Sequence, residues 1–480
     1  MTVHVRTSAD IDLETFRRVA WGREHIALDP ELLAQVEAWR QEFLALVQTL
    51  EGMPIYGVSV HAGDGSNRVL TEADRASYAT GLNSATSFGA ALPEEVVRGM
   101  VLARLGSFVD GSGGVSAELA QHVADLLARP LPRVPVDGTA GSGEIQPLGH
   151  LFASVPGNMA LGAGEAMALV NGSPCAGALT AHRAIRMEAV LQAALPVITL
   201  AVDALDAPEG HTDPALGQVW ANPSEADAVL EMGRALGSDH PRRTHQAKVS
   251  VRILPRCIAA ANDALDYLTT VADSALRHPG DNPAFIPAKP GEAARVVSNG
   301  SFHNQRSVVA IDTAARTVAD LVQLGQHLLH AIYLDNEVLP RQDNLALGTS
   351  YMPAAAWSEE ARALATPSLL SFAAVGQNDV PNPLFAAWRK ATEIDRCLLA
   401  QVSLLGAMAS QAFATNERQP APALQPTLQF IQDHFAPVTT RRDVGTDFDR
   451  LLAALVARVD TDCGTQRASR EQGRLVPTPA

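Results

Sequence analysis

Apolar residues recur every third or fourth position through three long stretches of this chain, and that spacing is satisfied by an amphipathic helix. Over 306–333 the series is Ile311, Ala314, Val318, Leu321, Val322, Gly325, Leu328, Leu329 and Ile332. Over 390–413 it is Ile394, Leu398, Val402, Leu405, Met408 and Ala412, and over 257–277 it is Ile258, Ala261, Leu265, Leu268, Ala272 and Leu276. Helices of about 20 residues reach about 30 Å, long enough to form a central bundle. The composition agrees: 47% of the 480 residues are hydrophobic but only 5% aromatic, so the core is built from Ala, Leu and Val. Ala and Leu favour helix strongly. Length alone would suggest about three domains; the periodicity argues for one large, mainly α body.

The charge balance narrows the function. A net charge of −15 argues against nucleic-acid binding, which needs clustered Lys and Arg. No uninterrupted apolar run approaches the roughly 18–20 residues of a membrane span. Met1-Thr2-Val3-His4-Val5-Arg6 lacks the apolar centre of a secretory leader. The four cysteines (Cys175, Cys257, Cys397 and Cys463) are widely spaced, without a Cys-x-x-Cys pair, which fits free thiols in a reducing cytoplasm. His303, His327 and His330 lack the tight spacing of a zinc site, so no metal is expected.

The run from Gly138 to His150, Gly-Thr-Ala-Gly-Ser-Gly-Glu-Ile-Gln-Pro-Leu-Gly-His, carries a chemical signal. Gly143 has no Cβ, so its amide nitrogen can approach the carbonyl carbon of Gly141. If that nitrogen attacks and two waters leave, one taking the Ser142 hydroxyl, a methylidene-imidazolone results. Such a ring is an electrophile, a function that ordinary side chains do not supply.

Ser142-Gly143-Glu144-Ile145-Gln146-Pro147-Leu148 resembles the signature of the aromatic amino acid lyase family, which includes histidine and phenylalanine ammonia-lyases and the related 2,3-aminomutases. Further segments resemble the family in the same order: Ile55-Tyr56-Gly57-Val58, Ala168 to Ser173, Gly280-Asp281-Asn282-Pro283, Asn299 to Gln305, and Gln377-Asn378-Asp379-Val380. The resemblance runs from about residue 11 to 414. It implies a long central helical bundle of the ammonia-lyase type with an N-terminal active-site region. It also implies a homotetramer whose sites take residues from three chains, and an amino acid as the small-molecule substrate. The expected division is 1–202 with the tyrosine loop and the Gly-Ser-Gly turn, 203–256 as a connecting and lid segment, 257–463 as the bundle, and 464–480 as a flexible tail.

The resemblance assigns roles by position. Gly141, Ser142 and Gly143 would form 4-methylidene-imidazole-5-one, with no metal. Tyr56 would be the base that takes the β-proton; a phenol, titrating near pH ~10 in water, needs amide donors or positive charge for that work. A half-buried tyrosine at a loop edge is the plainer alternative. Arg256 would clamp the substrate carboxylate with its planar fork, against the alternative of a surface ion pair. Asn171 would hydrogen-bond the substrate carboxylate or amine while also serving as a turn residue before Gly172. Asn378 would support the amine, because an amide cannot take up a proton. Phe302 would wall the pocket or simply belong to the core.

Four departures bear on the reaction. Gly141 stands where alanine is usual, and the lead into the tripeptide is one residue shorter. Ile253, in Ile253-Leu254-Pro255-Arg256, replaces the lid tyrosine and cannot exchange a proton; His61 and Tyr351 are candidate substitutes. Asn83 and Ser84 occupy the positions that read the substrate side chain, and so small a polar pair suggests a non-aromatic or hydrogen-bonding group. The sequence thus points to an ammonia-lyase or aminomutase acting on an L-amino acid. A catalytically silent homologue serving as a scaffold is the rival. A fumarase-type lyase is disfavoured because its Gly-Ser-Ser-x-Met-Pro segment is absent.

Overall fold

A computed structural model describes residues 2–465, apart from 82–84, 140, 156, 158, 238–241, 244–245, 341–345 and 373–375. The protein is mainly α-helical, and its longest helices are Pro174–Ala204, Leu254–Arg277, Gln305–Leu334 and Leu384–Thr415. Three of these contain the periodic stretches at 257–277, 306–333 and 390–413. The Pro174 helix carries no such stripe because it is apolar around its whole circumference. Cys175, Ala178, Leu179, Leu191, Ala194, Ile198 and Ala201 are all fully buried. A helix hydrophobic on every side is a core helix with no periodic face to read. Its internal Pro196 is tolerated there, and Thr180 and Thr199 return their hydroxyls to carbonyls four residues earlier.

The chain divides into two compact units that interleave along the sequence. The first comprises Met1–Ile185, Leu268–Ile311 and Ser368–Trp388; the second comprises Arg186–Tyr267, Asp312–Pro367 and Arg389–Ala480. The linear division at 202, 256 and 463 follows sequence signals, whereas the units follow contacts between distant segments. Most of the tail expected from residue 464 onward lies outside the described residues.

In the first unit, Thr2–Val5 pairs in parallel with His25–Leu28, and Ala284–Ile286 pairs antiparallel with Arg295–Val297. Helices begin where polar caps dictate. Asp29 accepts from the Glu31 amide ahead of Pro30–Thr49, with proline at its start, and Thr71 and Asp74 form a reciprocal capping box for Glu72–Tyr78. The Glu94–Val109 helix is buried along almost its entire length.

That helix carries Arg104, whose side chain is fully buried. The guanidinium donates to the Asn171 carbonyl and to the Ser107 hydroxyl. It also pairs with the Asp281 carboxylate at 2.6 Å. One cation thereby ties the end of the Glu165–Val170 helix to the loop around Asp281. In the second unit, Arg242 pairs with fully buried Asp203 at 2.8 Å, and Arg418 reaches Asp206 at 3.2 Å.

Two segments, Glu165–Ala204 and Leu384–Thr415, are long and apolar enough to cross a bilayer by composition, with hydropathies of 1.6 and 1.5. Within the protein, however, 78% and 94% of those windows are buried, as expected of core helices. Replacing Arg104 by leucine is predicted to cost about 3–5 kcal/mol, because Asp281 is left buried without its partner. Denaturant titration checks this, and the Arg104→Leu/Asp281→Asn double variant should be more stable than Arg104→Leu alone.

Candidate active site

The tripeptide Gly141–Ser142–Gly143 lines a cavity of about 720 Å³ in the first unit. This volume suits a small-molecule site. Tyr56, Asn171, Phe302 and Asn378 line the same cavity. Segments more than 300 residues apart in sequence therefore meet around one serine.

Each wall has a local cause. Gly143 has a φ of +74°, and a Cβ there would meet the Phe302 Cβ at 3.3 Å, so glycine suits both the turn and the close ring. Gly141 differs: a Cβ would meet nothing within 4 Å. Its glycine is a departure from the family pattern that packing does not require. Glu144 follows the tripeptide, is completely buried, and accepts from the Cys175 and Ala176 amides at 2.5 and 2.9 Å. It therefore occupies the amide-rich start of the Pro174 helix. Burial raises its carboxyl to about 8, with the two amides and the Arg104 charge pulling the other way. Burial likewise pushes Asp281 up to about 6, opposed chiefly by Arg104.

Gln146 fixes the loop that approaches the cavity. Its Oε1 accepts from the Thr86 and Ser87 amides at 2.7 and 2.9 Å. Asn171 is buried, and its Oδ1 accepts from Gly172 at 2.8 Å. Gly172 has a φ of +88°, and a Cβ there would lie 2.3 Å from the Gly280 carbonyl oxygen, so the bend after Asn171 needs glycine. The Asn282 side chain accepts from the Asn299 amide at 2.9 Å, and both asparagines face the cavity.

Tyr56 is half-buried, and its phenol oxygen accepts from the Gly63 amide at 2.8 Å. Gln377 donates to the Gly63 carbonyl, and the Asn378 amide reaches Asp64 at 3.4 Å. The Ser142 hydroxyl donates to the Val380 carbonyl at 3.0 Å, and the Asn382 amide donates to the Gly141 carbonyl at 2.9 Å. Every polar side chain lining the cavity among the described residues is neutral.

Other expected residues lie elsewhere. His61 turns its Nε2 to Asp74 at 3.2 Å and packs edge-on to Tyr78, and it is not among the residues lining the cavity. Arg256 belongs to the second unit, where it pairs with Glu225 at 2.9 Å and stacks on Trp220. Ile253 and Tyr351 are also in that unit, Tyr351 packed beside Tyr333 and His330. Asn83 and Ser84 fall outside the described residues. Among the described residues, no group of three or more His, Cys, Asp or Glu gathers as a metal site. Sequence reading did not single out Arg104, Asn282 or Asn299 individually; the signal was present for the last two, inside motifs taken only as whole segments.

The aromatic amino acid lyase family model matches residues 11–161 and 153–433. This chain belongs to the aromatic amino acid lyase family. Among its relatives is histidine ammonia-lyase of Symbiobacterium thermophilum, 26% identical over 96% of this chain and 99% of that protein. Two solved structures share the fold. Ergothionase, the ergothioneine-degrading enzyme of Treponema denticola, superposes with a TM-score of 0.86 at 18% identity, covering 96% of this chain and 99% of the other. Phenylalanine aminomutase of Pantoea agglomerans gives a TM-score of 0.85 at 17% identity, with coverage of 95% and 99%. By that membership the protein is an enzyme of the aromatic amino acid lyase type.

Two outcomes follow from this geometry. Gly141→Ala should stabilise the fold by about 0.4–1 kcal/mol, since it restricts the unfolded chain without a native clash; thermal unfolding measures it. Glu144 binds its proton more tightly when folded, at about 8, than the ordinary carboxyl at 4.5. The folded state therefore holds more protons between those values, and stability falls with rising pH there and levels off above about 8. Relative to Glu144→Gln, the wild type should lose about 1 kcal/mol per pH unit through that window, read from denaturant midpoints.

Proposed function

We propose that this enzyme is an ammonia-lyase or 2,3-aminomutase acting on an L-amino acid through a methylidene-imidazolone made from Gly141, Ser142 and Gly143. The observation that carries the reading is the shared cavity: the tripeptide, Tyr56, Asn171, Phe302 and Asn378 line one space. The residues fit the group. Gly143 adopts the left-handed bend against Phe302, and the carbonyl of Gly141 and hydroxyl of Ser142 are both held by the 380–382 segment. Such a ring supplies an electrophilic carbon able to capture an amine, which ordinary side chains lack.

The remaining work falls to side chains of the cavity. Acting as the phenolate, with its own proton given up beforehand, Tyr56 takes the β-proton onto the oxygen that the Gly63 amide holds in place. Asn171 hydrogen-bonds the substrate carboxylate or amine, and Asn378 supports the amine without competing for its proton. Phe302, Met167 and Val170 form apolar walls that exclude water.

The neutral lining has a consequence. A zwitterionic substrate brings a carboxylate, and the described residues of the lining offer it no cation. Arg256 provides that clamp in our reading, within a homotetramer whose sites are shared between subunits. We place this assembly in the cytoplasm. The carboxamides of Gln146, Asn282, Asn299 and Gln377 favour a substrate with a polar, hydrogen-bonding side chain over a plain aromatic one, in line with the small polar residues at Asn83 and Ser84.

The test is a panel of L-amino acids, with released ammonia, unsaturated acid and β-amino acid quantified for the wild type and variants. Turnover should favour polar side chains. Ser142→Ala should abolish it, and Tyr56→Phe should lower kcat by about 10²–10⁴-fold. Turnover confined to phenylalanine or tyrosine would overturn the polar-substrate reading. Wild type and Ser142→Ala alike producing nothing would instead favour a silent scaffold.

A further inference from the structure

The segment running from Val380 to Asn382 touches the tripeptide twice, with opposite polarity at its two contacts. The Val380 carbonyl accepts from the Ser142 hydroxyl at 3.0 Å. The Asn382 amide donates to the Gly141 carbonyl oxygen at 2.9 Å. Asn382 is buried, and its own side chain accepts from the Leu384 amide at 3.1 Å, at the start of the 32-residue Leu384–Thr415 helix. Prolines at 381 and 383 stiffen it further: the first fixes its own φ, and the second keeps residue 382 out of the helical region. A backbone donor so restrained is preorganised toward one carbonyl.

We infer that Asn382 is a positioning residue for ring closure: its cap on Leu384 holds its own amide against the Gly141 carbonyl, the bond that the Gly143 nitrogen must attack. This rests on the ring-forming reading above. Attack places the Gly143 lone pair on the Gly141 carbon and drives the carbonyl π pair onto oxygen. An N–H donor about 2.7–3.1 Å from a developing oxyanion stabilises it without reorganisation, and the Asn382 amide lies in that range. The Gly143 proton passes to this oxygen. The resulting hydroxyl departs with the Ser142 amide proton as one water, leaving a carbon–nitrogen double bond. The Ser142 hydroxyl then departs with the Ser142 α-proton as the second water, leaving the exocyclic methylidene. No oxidant or reductant is consumed. The Val380 carbonyl holds the serine hydroxyl in one orientation before it leaves.

The experiment follows the intact mass of newly synthesised full-length chain over time, with circular dichroism reporting the helical fold. Wild type and Asn382→Ser, which keeps both the amide and a capping oxygen, should lose two waters at similar rates. Asn382→Ala keeps the amide but loses the cap, and should be slower by roughly five- to tenfold. Asn382→Pro removes the amide, and should slow dehydration by about 10²–10³-fold. If the proline variant does not fold, the serine and alanine variants decide the matter. Alanine or folded proline variants that dehydrate at the wild-type rate overturn the inference alone. A wild-type chain that retains its encoded mass overturns the ring-forming reading itself, and this inference with it.

Discussion

The Arg104 guanidinium is the interaction on which the cavity depends. It is fully buried and reaches the Asn171 carbonyl and the Asp281 carboxylate from one side chain. A charge taken out of water is tolerated only with close partners, so the two loops that carry Asn171 and Asn282 are held in fixed register. Glu144 extends the arrangement: its buried carboxyl caps the Pro174 helix by accepting from the Cys175 and Ala176 amides. The residue directly after the tripeptide is thus anchored to the start of the buried Pro174–Ala204 helix. A Gly-Ser-Gly run that would be a loose turn in water is fastened at both ends.

This fastening separates the tripeptide from an ordinary loop. Gly143 bends against Phe302, Gly141 and Ser142 are gripped by residues 380–382, and Glu144 is pulled into the core. Glycines supply the conformation, while distant segments remove the freedom that glycines bring. The cavity above the turn then combines apolar walls with neutral amides. Within our reading, that division of labour leaves proton transfer to Tyr56, amine capture to the ring, and carboxylate recognition to Arg256.

Much of this was legible in the sequence, for identifiable reasons. The periodic helices Leu254–Arg277 and Gln305–Leu334 showed because each has one buried apolar face, whereas the Pro174–Ala204 helix was hidden by being buried around almost its whole circumference. Tyr56, Asn171, Phe302 and Asn378 stood out within local motifs, and the fold gathers them with the tripeptide. What stayed illegible was pairing across long separations. Nothing near Arg104 announces Asp281, which is 177 residues away, and nothing near Asn382 announces Gly141. His61 shows the converse problem. It is a candidate substitute for the lid tyrosine in the sequence, but Asp74 takes its imidazole in the folded chain. Arg256 forms the ion pair that the sequence left as the alternative, engaged by Glu225 and Trp220 in its own unit.

The departures from the family pattern are also unequal in weight. Glycine at 141 is sterically unneeded and costs only chain freedom. Isoleucine at 253 removes an acid–base group, since its side chain cannot exchange a proton.

The most direct measurement of the central claim is a high-resolution crystal structure of the mature enzyme, read at residues 141–143. The account predicts continuous density for a closed five-membered ring joining the Gly143 nitrogen to the Gly141 carbon, with a planar methylidene in place of the serine hydroxymethyl. An open, ordinary peptide with an intact Ser142 hydroxyl would contradict it.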